Sequence, residues 1–233
     1  MSTASIPRDS NPGSAASDLA VVLGTIAVAW VLSRWVIYPA LAIPDNAPYI
    51  LRPITGFLAA WWIVRRRGEG LASLGLRRPD SWMRAILVAI ALYAADWFLS
   101  TYVTPVIAEW VHPVQRPSFL GYIRGNAAGM VTWVAIGWIV GGLFEETLFR
   151  GFLLQRVSTL LGKNAAAVAA AIIAQAILFG ALHLYGGTFA FLHAAVFAVT
   201  HGVFYIVAGR NLLPLIAVHG TWDMVGIYSV YAS

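Results

Sequence analysis

Several ionisable side chains stand deep inside apolar runs of this chain, at spacings that let them act together. The stretch Gly141-Gly142-Leu143-Phe144-Glu145-Glu146-Thr147-Leu148-Phe149-Arg150-Gly151 places two adjacent carboxylates and a guanidinium inside an apolar segment from about 127 to 157. A charge at that depth in a bilayer costs about 3 kcal/mol even on lenient insertion scales, so such residues face a bundle interior or a watery cavity. Glu146 and Arg150 are four apart and share a helix face, where they can pair. Glu145 is turned about 100° away from Glu146. A structural ion pair would account for one Glu and the Arg and leave the other Glu over. Two like carboxylates so close do not both ionise easily. A carboxylate poised between its two protonation states is what a general base needs.

Two later segments carry histidines in i, i+4 pairs: Phe179 with His183, and His219 with Asp223. Each pair lies on one helix face. An Asp one turn from a His is a usual device for fixing the imidazole tautomer, which gives Asp223 the task of orienting His219. Singly, each His reads as a hydrogen-bonded core residue. With Glu145, Glu146 and Arg150, however, they make up most of the ionisable groups deep in the last four apolar runs, and such a gathering is a site by default. His193 and His201 have no acid near them in sequence and read as structural or cavity-lining. Asp96 in the third segment is unexplained by any motif and could cap an internal network.

Two carboxylates and two histidines, with no Ser or Cys in a nucleophile motif, point to water as the nucleophile. A Glu would deprotonate the water while a His helps to hold it. The second His would supply a donor to the developing oxyanion. The chemistry is peptide or ester hydrolysis in a membrane cavity. The His-Glu-x-x-His helix of zinc proteases is absent. A zinc site built of Glu, His and Asp from three helices stays open as the less favoured alternative, and no other cofactor is expected.

These groups need helices to position them. The chain has 233 residues, of which 60% are hydrophobic and 11% charged, which excludes an ordinary soluble domain. The fold class expected is all-α: a polytopic bundle of about seven membrane helices around an intramembrane cavity. The segments run over about 18–38, 49–64, 82–106, 127–157, 165–184, 189–208 and 212–231. Residues 1–17 read as a disordered tail, and 18–233 as a single transmembrane domain. The net charge of +5 is no nucleic-acid footprint, because the basic residues cluster at the ends of apolar runs. Five arginines between positions 65 and 78 place that loop, and with it the N-terminus, in the cytoplasm. The loop from Trp110 to Asn126, with only Arg116 and Arg124, falls on the other side. Leu71, Leu74 and Leu76 suggest a short helix lying in the membrane interface. Gly137 and Gly141 form a Gly-x-x-x-Gly pair that permits close helix contact. Without cysteine there is neither a disulfide nor a thiolate nucleophile.

Taken in order, Glu-Glu-x-x-x-Arg at 145–150, Phe-x-x-x-His at 179–183 and His-x-x-x-Asp at 219–223 resemble the motifs of the CAAX-protease and bacteriocin-processing (CPBP, or Abi) family of intramembrane proteases. The similarity covers about 125–231, the expected protease core. It implies a metal-independent glutamate-type endopeptidase. In that frame Glu145 activates water together with His183, Glu146 and Arg150 hold the geometry, and His219 stabilises the oxyanion. Where the prenyl-processing branch has Asn, this chain has Asp223. An ionised Asp cannot donate to an oxyanion, so Asp223 keeps the orienting role. The implied partners are membrane lipids and a peptide or membrane-protein substrate, in a bacterial plasma membrane. A non-catalytic scaffold or immunity factor on the same fold is the alternative of another class, and an ion or proton transporter is a third. A shared site requires His183 and His219 within about 12 Å of Glu145.

Overall fold

A computed structural model describes residues 11–43, 50–113 and 119–233. Most of the expected N-terminal tail and Arg116 lie outside them. The described chain is helical throughout, with no strand. Seven long helices follow one another: α1 (Pro12–Ala40), α2 (Leu51–Arg66), α3 (Trp82–Val111), α4 (Ala127–Leu160), α5 (Ala165–Leu182), α6 (Gly187–Val207) and α7 (Leu213–Ala232). Five of them, α1, α3, α4, α5 and the helix ending at Val207, are long and apolar enough to cross a membrane. The other two are α2, with only 16 residues, and α7, which carries His219 and Asp223.

The helix starts are written in side chains that cap the first free N–H groups. Asn11, Ser81, Asn126 and Asn164 each accept from the backbone N–H three residues on, at the heads of α1, α3, α4 and α5. The Asn11 cap and Pro12 start α1 inside the stretch read as tail, leaving at most the residues before Asn11 for one.

α4 is the axis of the bundle. Every residue from Thr147 to Leu154 is buried, which is the signature of a helix enclosed on all sides. Leu148, Phe149, Phe152 and Leu153 pack against Leu19, Val22 and Ile26 of α1, Ala60 and Ile63 of α2, and Phe179 of α5. From Gly137 to Glu145, and again from Thr147 to Leu154, α4 winds as a π-helix. Such geometry is rare and occurs frequently at functional sites.

α4 and α7 approach each other through small residues. A Cβ on Gly142 would lie 3.1 Å from the Ile216 carbonyl, and one on Gly220 would come within 2.5 Å of the Trp138 ring. A Cβ on Gly137 would meet that of Asp223 at 2.8 Å. The glycines at 137 and 141 thus make room for the helix that carries His219 and Asp223.

The arginine-rich loop differs from the interfacial helix expected for it. Leu71–Leu74 forms a single 3₁₀ turn whose Leu74 is buried in the core beside α4. The Tyr205 hydroxyl donates to the Leu74 carbonyl at 3.3 Å, and the Leu212 N–H donates to the Gly75 carbonyl at 2.9 Å. A Cβ on Gly151 would stand 2.6 Å from the Leu74 carbonyl. The loop is drawn inward because its main chain satisfies donors of α6 and of the turn before α7, and because Gly151 leaves it the space. At the same end, Asp18 accepts from Arg67 at 2.7 Å and from Arg156 at 2.8 Å, tying α1 to the foot of α4.

Candidate active site

The site is assembled around one oxygen. Glu146 is fully buried, and its Oε1 accepts from His219 Nδ1 at 2.8 Å and from His201 Nδ1 at 3.0 Å. Arg150 Nη1 lies 3.1 Å from the same oxygen. The i, i+4 pair read from the sequence is therefore formed. The rest of the Arg150 guanidinium meets ring faces: its carbon stands 4.8 Å from the Phe179 ring centroid, a contact worth about 2 kcal/mol when desolvated. The Phe179 ring also meets His183, with ring centroids 4.7 Å apart. Phe179 thus links the arginine of the first motif to the histidine of the second, which gives its place in the sequence pattern a physical reason.

His183 caps the end of α5 and its Nδ1 stands 2.8 Å from the Phe179 carbonyl. A carbonyl only accepts, so Nδ1 carries the proton and Nε2 is left as an acceptor. His183 and Tyr185 line two spaces at once. One is a cavity of about 420 Å³ between α3, α5, α6 and α7, within the usual range for a ligand pocket. The other is a small pocket of about 40 Å³ that Glu145 and Arg52 also line, roomy enough for at least one water molecule.

Glu145 and Glu146 have separate surroundings. Glu146 is committed to its three partners. Glu145 lines the small pocket, and its Oε2 stands 4.0 Å from His219 Nε2. His219 therefore stands well inside the 12 Å allowed for a shared site, and His183 shares a pocket wall with Glu145. The structure brings Glu145, Glu146, Arg150, His183 and His219 together.

Asp223 does not hold His219 by the hydrogen bond that its spacing suggested. Its Oδ2 lies 3.9 Å from His219 Nε2, beyond hydrogen-bond reach. The ring of His219 is oriented from its other nitrogen, by Glu146 on the facing helix. Asp223 instead leans over the glycine gap of α4, half out toward the large cavity.

Two further residues belong to the network: His201, expected to be structural or cavity-lining, and Asp96, expected at most to cap an internal network. His201 lies fully buried between Glu146 and Asp96, with Nε2 3.0 Å from Asp96 Oδ2, and Phe197 stacks on it at 3.9 Å. Both acids are distant in sequence and no local spacing announces them. The remaining signal was compositional, since Asp96 and His201 are each a polar group in an otherwise apolar span.

Donor atoms of Glu146, His201 and His219 lie within 4.8 Å of one another, close enough to suggest a metal site. Histidine nitrogens of the group are engaged by carboxylates instead. Both Nδ1 atoms are turned onto Glu146, His201 Nε2 is turned onto Asp96, and Arg150 already sets a positive charge beside the shared oxygen. A divalent ion would have to break those bonds and sit against the guanidinium.

The close α4–α7 contact makes one test immediate. A Cβ on Gly141 would collide with the Asp223 carboxylate and come 3.3 Å from His219 Nε2. Gly141→Ala should push α7 outward and lengthen the His219–Glu146 bond. The expected result is a loss of about 10²-fold in kcat from misplacement of the ring. An apparent melting temperature lowered by overpacking of about 1–3 kcal/mol should accompany it.

Residues 127–225 match the model of the family described as type II CAAX prenyl endopeptidase Rce1-like. The matched segment begins with α4 and takes in all three motifs and His201, whereas Asp96 and Arg52 lie before it. No curated protein and no solved structure matches the chain. The resemblance carried by the motifs thus stands over that segment, and it is one to a membrane peptidase. With five apolar helices of membrane-crossing length, the chain is an integral membrane protein.

Proposed function

We propose, on the premise that residues 127–225 form the peptidase core of an Rce1-like CAAX endopeptidase, that this chain is an intramembrane endopeptidase in which Glu145 activates a water molecule held with His183. The observation that carries the reading is the small pocket. An acid with uncommitted oxygens and a histidine whose Nε2 accepts face one space of water size.

A water there donates one hydrogen bond to Glu145 and one to His183 Nε2. Its lone pair is left to attack a peptide carbonyl entering from the large cavity. As the C–O bond forms, Glu145 takes the proton. The carbonyl oxygen gains the negative charge beside His219 Nε2, which donates to it when the ring carries both protons. Collapse of the tetrahedral intermediate breaks the C–N bond, and Glu145 returns its proton to the leaving amine. Glu146, Arg150 and His201 touch no reacting atom in this scheme and hold the His219 ring. Asp223 adds negative charge near that ring.

The reaction needs no metal ion in this reading. The substrate is a peptide or membrane-protein segment, and prenylated C-terminal tripeptides are not carried over, because the composition of the chain suits a bacterial plasma membrane. The arginine-rich loop supports a cytoplasmic N-terminus.

The test is cleavage of cell-derived membrane peptides by the full chain in proteoliposomes, with and without a strong chelator. Cleavage unaffected by chelation is the expected result. Loss on chelation with recovery on adding zinc would overturn the metal-free scheme. Failure to cleave any peptide would favour a non-catalytic scaffold.

A further inference from the structure

Asp96 is engaged through one oxygen only. Its Oδ2 accepts from His201, whereas its Oδ1 is buried without a hydrogen-bond partner among the described residues, and Asp96 lines the 420 Å³ cavity. A desolvated carboxylate oxygen is costly until a donor reaches it. The cavity also presents Asp223 and the histidines 183, 193 and 219, and no Lys or Arg stands among its described lining residues. Arg150, buried behind this wall, is engaged by Glu146. Leu99, Val103 and Ile107 of α3 and Phe197 of α6, interrupted by the hydroxyls of Ser100 and Thr104, line the same cavity as Asp96. An unpaired negative oxygen beside an apolar slot suits an ammonium or guanidinium on a long aliphatic stem. The stem would cover the apolar wall and the head would reach the oxygen. A neutral N–H would fill the hydrogen bond but would gain less from the charge on the oxygen it meets.

We propose, building on the peptidase reading, that Asp96 is a substrate-anchoring residue: the cavity takes a peptide segment bearing a Lys or Arg side chain, whose cationic head docks on Asp96 Oδ1. This gives the carboxylate that the sequence left unexplained a role in specificity. It also places that role on α3, outside the segment shared with the peptidase family.

The experiment uses the full chain carrying Glu145→Ala in lipid nanodiscs, so that bound peptide is not consumed. Two fluorescent apolar helical peptides are compared, identical except for one Lys or one norleucine. The Lys peptide should bind at least about tenfold more tightly, as close charge pairs do. Adding Asp96→Asn should remove the difference. Adding Asp96→Glu, which keeps the charge but moves it outward by a methylene, should shift the preference from Lys to the shorter ornithine. That second variant decides the matter where Asp96→Asn does not fold. Equal binding of the Lys and norleucine peptides, or a Lys preference that survives Asp96→Asn, would overturn the proposal. The wild-type chain is then tested for cleavage of both peptides. Cleavage of neither, with an Asp96-dependent preference in binding, leaves the anchoring site standing and removes the peptidase reading. Equal cleavage and equal binding do the reverse.

Discussion

Glu145→Gln should abolish detectable peptide cleavage while leaving the protein folded in its membrane. The substitution keeps the size of the side chain and removes its ability to take a proton. General-base catalysis contributes about 10²–10⁴-fold, so kcat should fall by at least that factor, with KM little changed. Stability should hold, because Glu145 stands 4.0 Å from His219 Nε2, farther than hydrogen-bond reach. Losing a carboxylate there breaks no ion pair as close as the one Glu146 makes with Arg150. The contrast with Glu146→Gln makes the assignment sharp. That change weakens three contacts converging on one oxygen, and should lower both activity and the apparent melting temperature. If Glu145→Gln still cleaves, and Glu146→Gln is inactive yet as stable as wild type, the two acids have been given each other's roles.

The second large effect concerns Arg150. Removing one member of a fully buried ion pair strands the other, at a cost of about 3–5 kcal/mol. Arg150→Met fills much of the same volume but leaves Glu146 with histidines alone. The apparent melting temperature in detergent should fall by roughly 10 °C for a chain of this size. The double variant Arg150→Met with Glu146→Gln removes the stranded charge together with its partner, and should recover most of that loss. Activity should not return, because the His219 ring would have lost its anchor. Recovery of activity in the double variant would show that the pair serves the fold alone.

How much of this could be read beforehand depended on how far apart in sequence the partners lie. Glu146 with Arg150 and Phe179 with His183 are separated by one turn, so helical periodicity reveals them. His201 stands 55 residues from Glu146 and 105 from Asp96. Only packing of α3, α4 and α6 brings the three together, and nothing in the local pattern around His201 signals it. Asp223 shows the opposite limit. It shares a face with His219, as spacing requires, yet the ring turned to a stronger acceptor on another helix. The glycines at 137 and 141 were visible as a contact motif, but the helix they admit was not. The Leu74 turn misled for a related reason. Alternating leucines between arginines suit a membrane surface, and the backbone bonds that pull the loop into the core involve residues more than a hundred positions later.

The π-helical winding of α4 has a consequence for how this chain can vary. In an α-helix, adding or removing one residue turns everything beyond it by about 100°. A π stretch holds extra residues in its turns, so it can release one and relax toward α geometry while neighbouring segments keep their facing. Length changes between Gly137 and Gly141, ahead of the acids, are therefore open to absorption by rewinding. Between Glu146 and Arg150 they are not, because both ends are fixed on one oxygen. Single-residue deletions scanned along α4 should accordingly find a tolerant stretch upstream of an intolerant one, a boundary set by winding rather than by depth in the membrane.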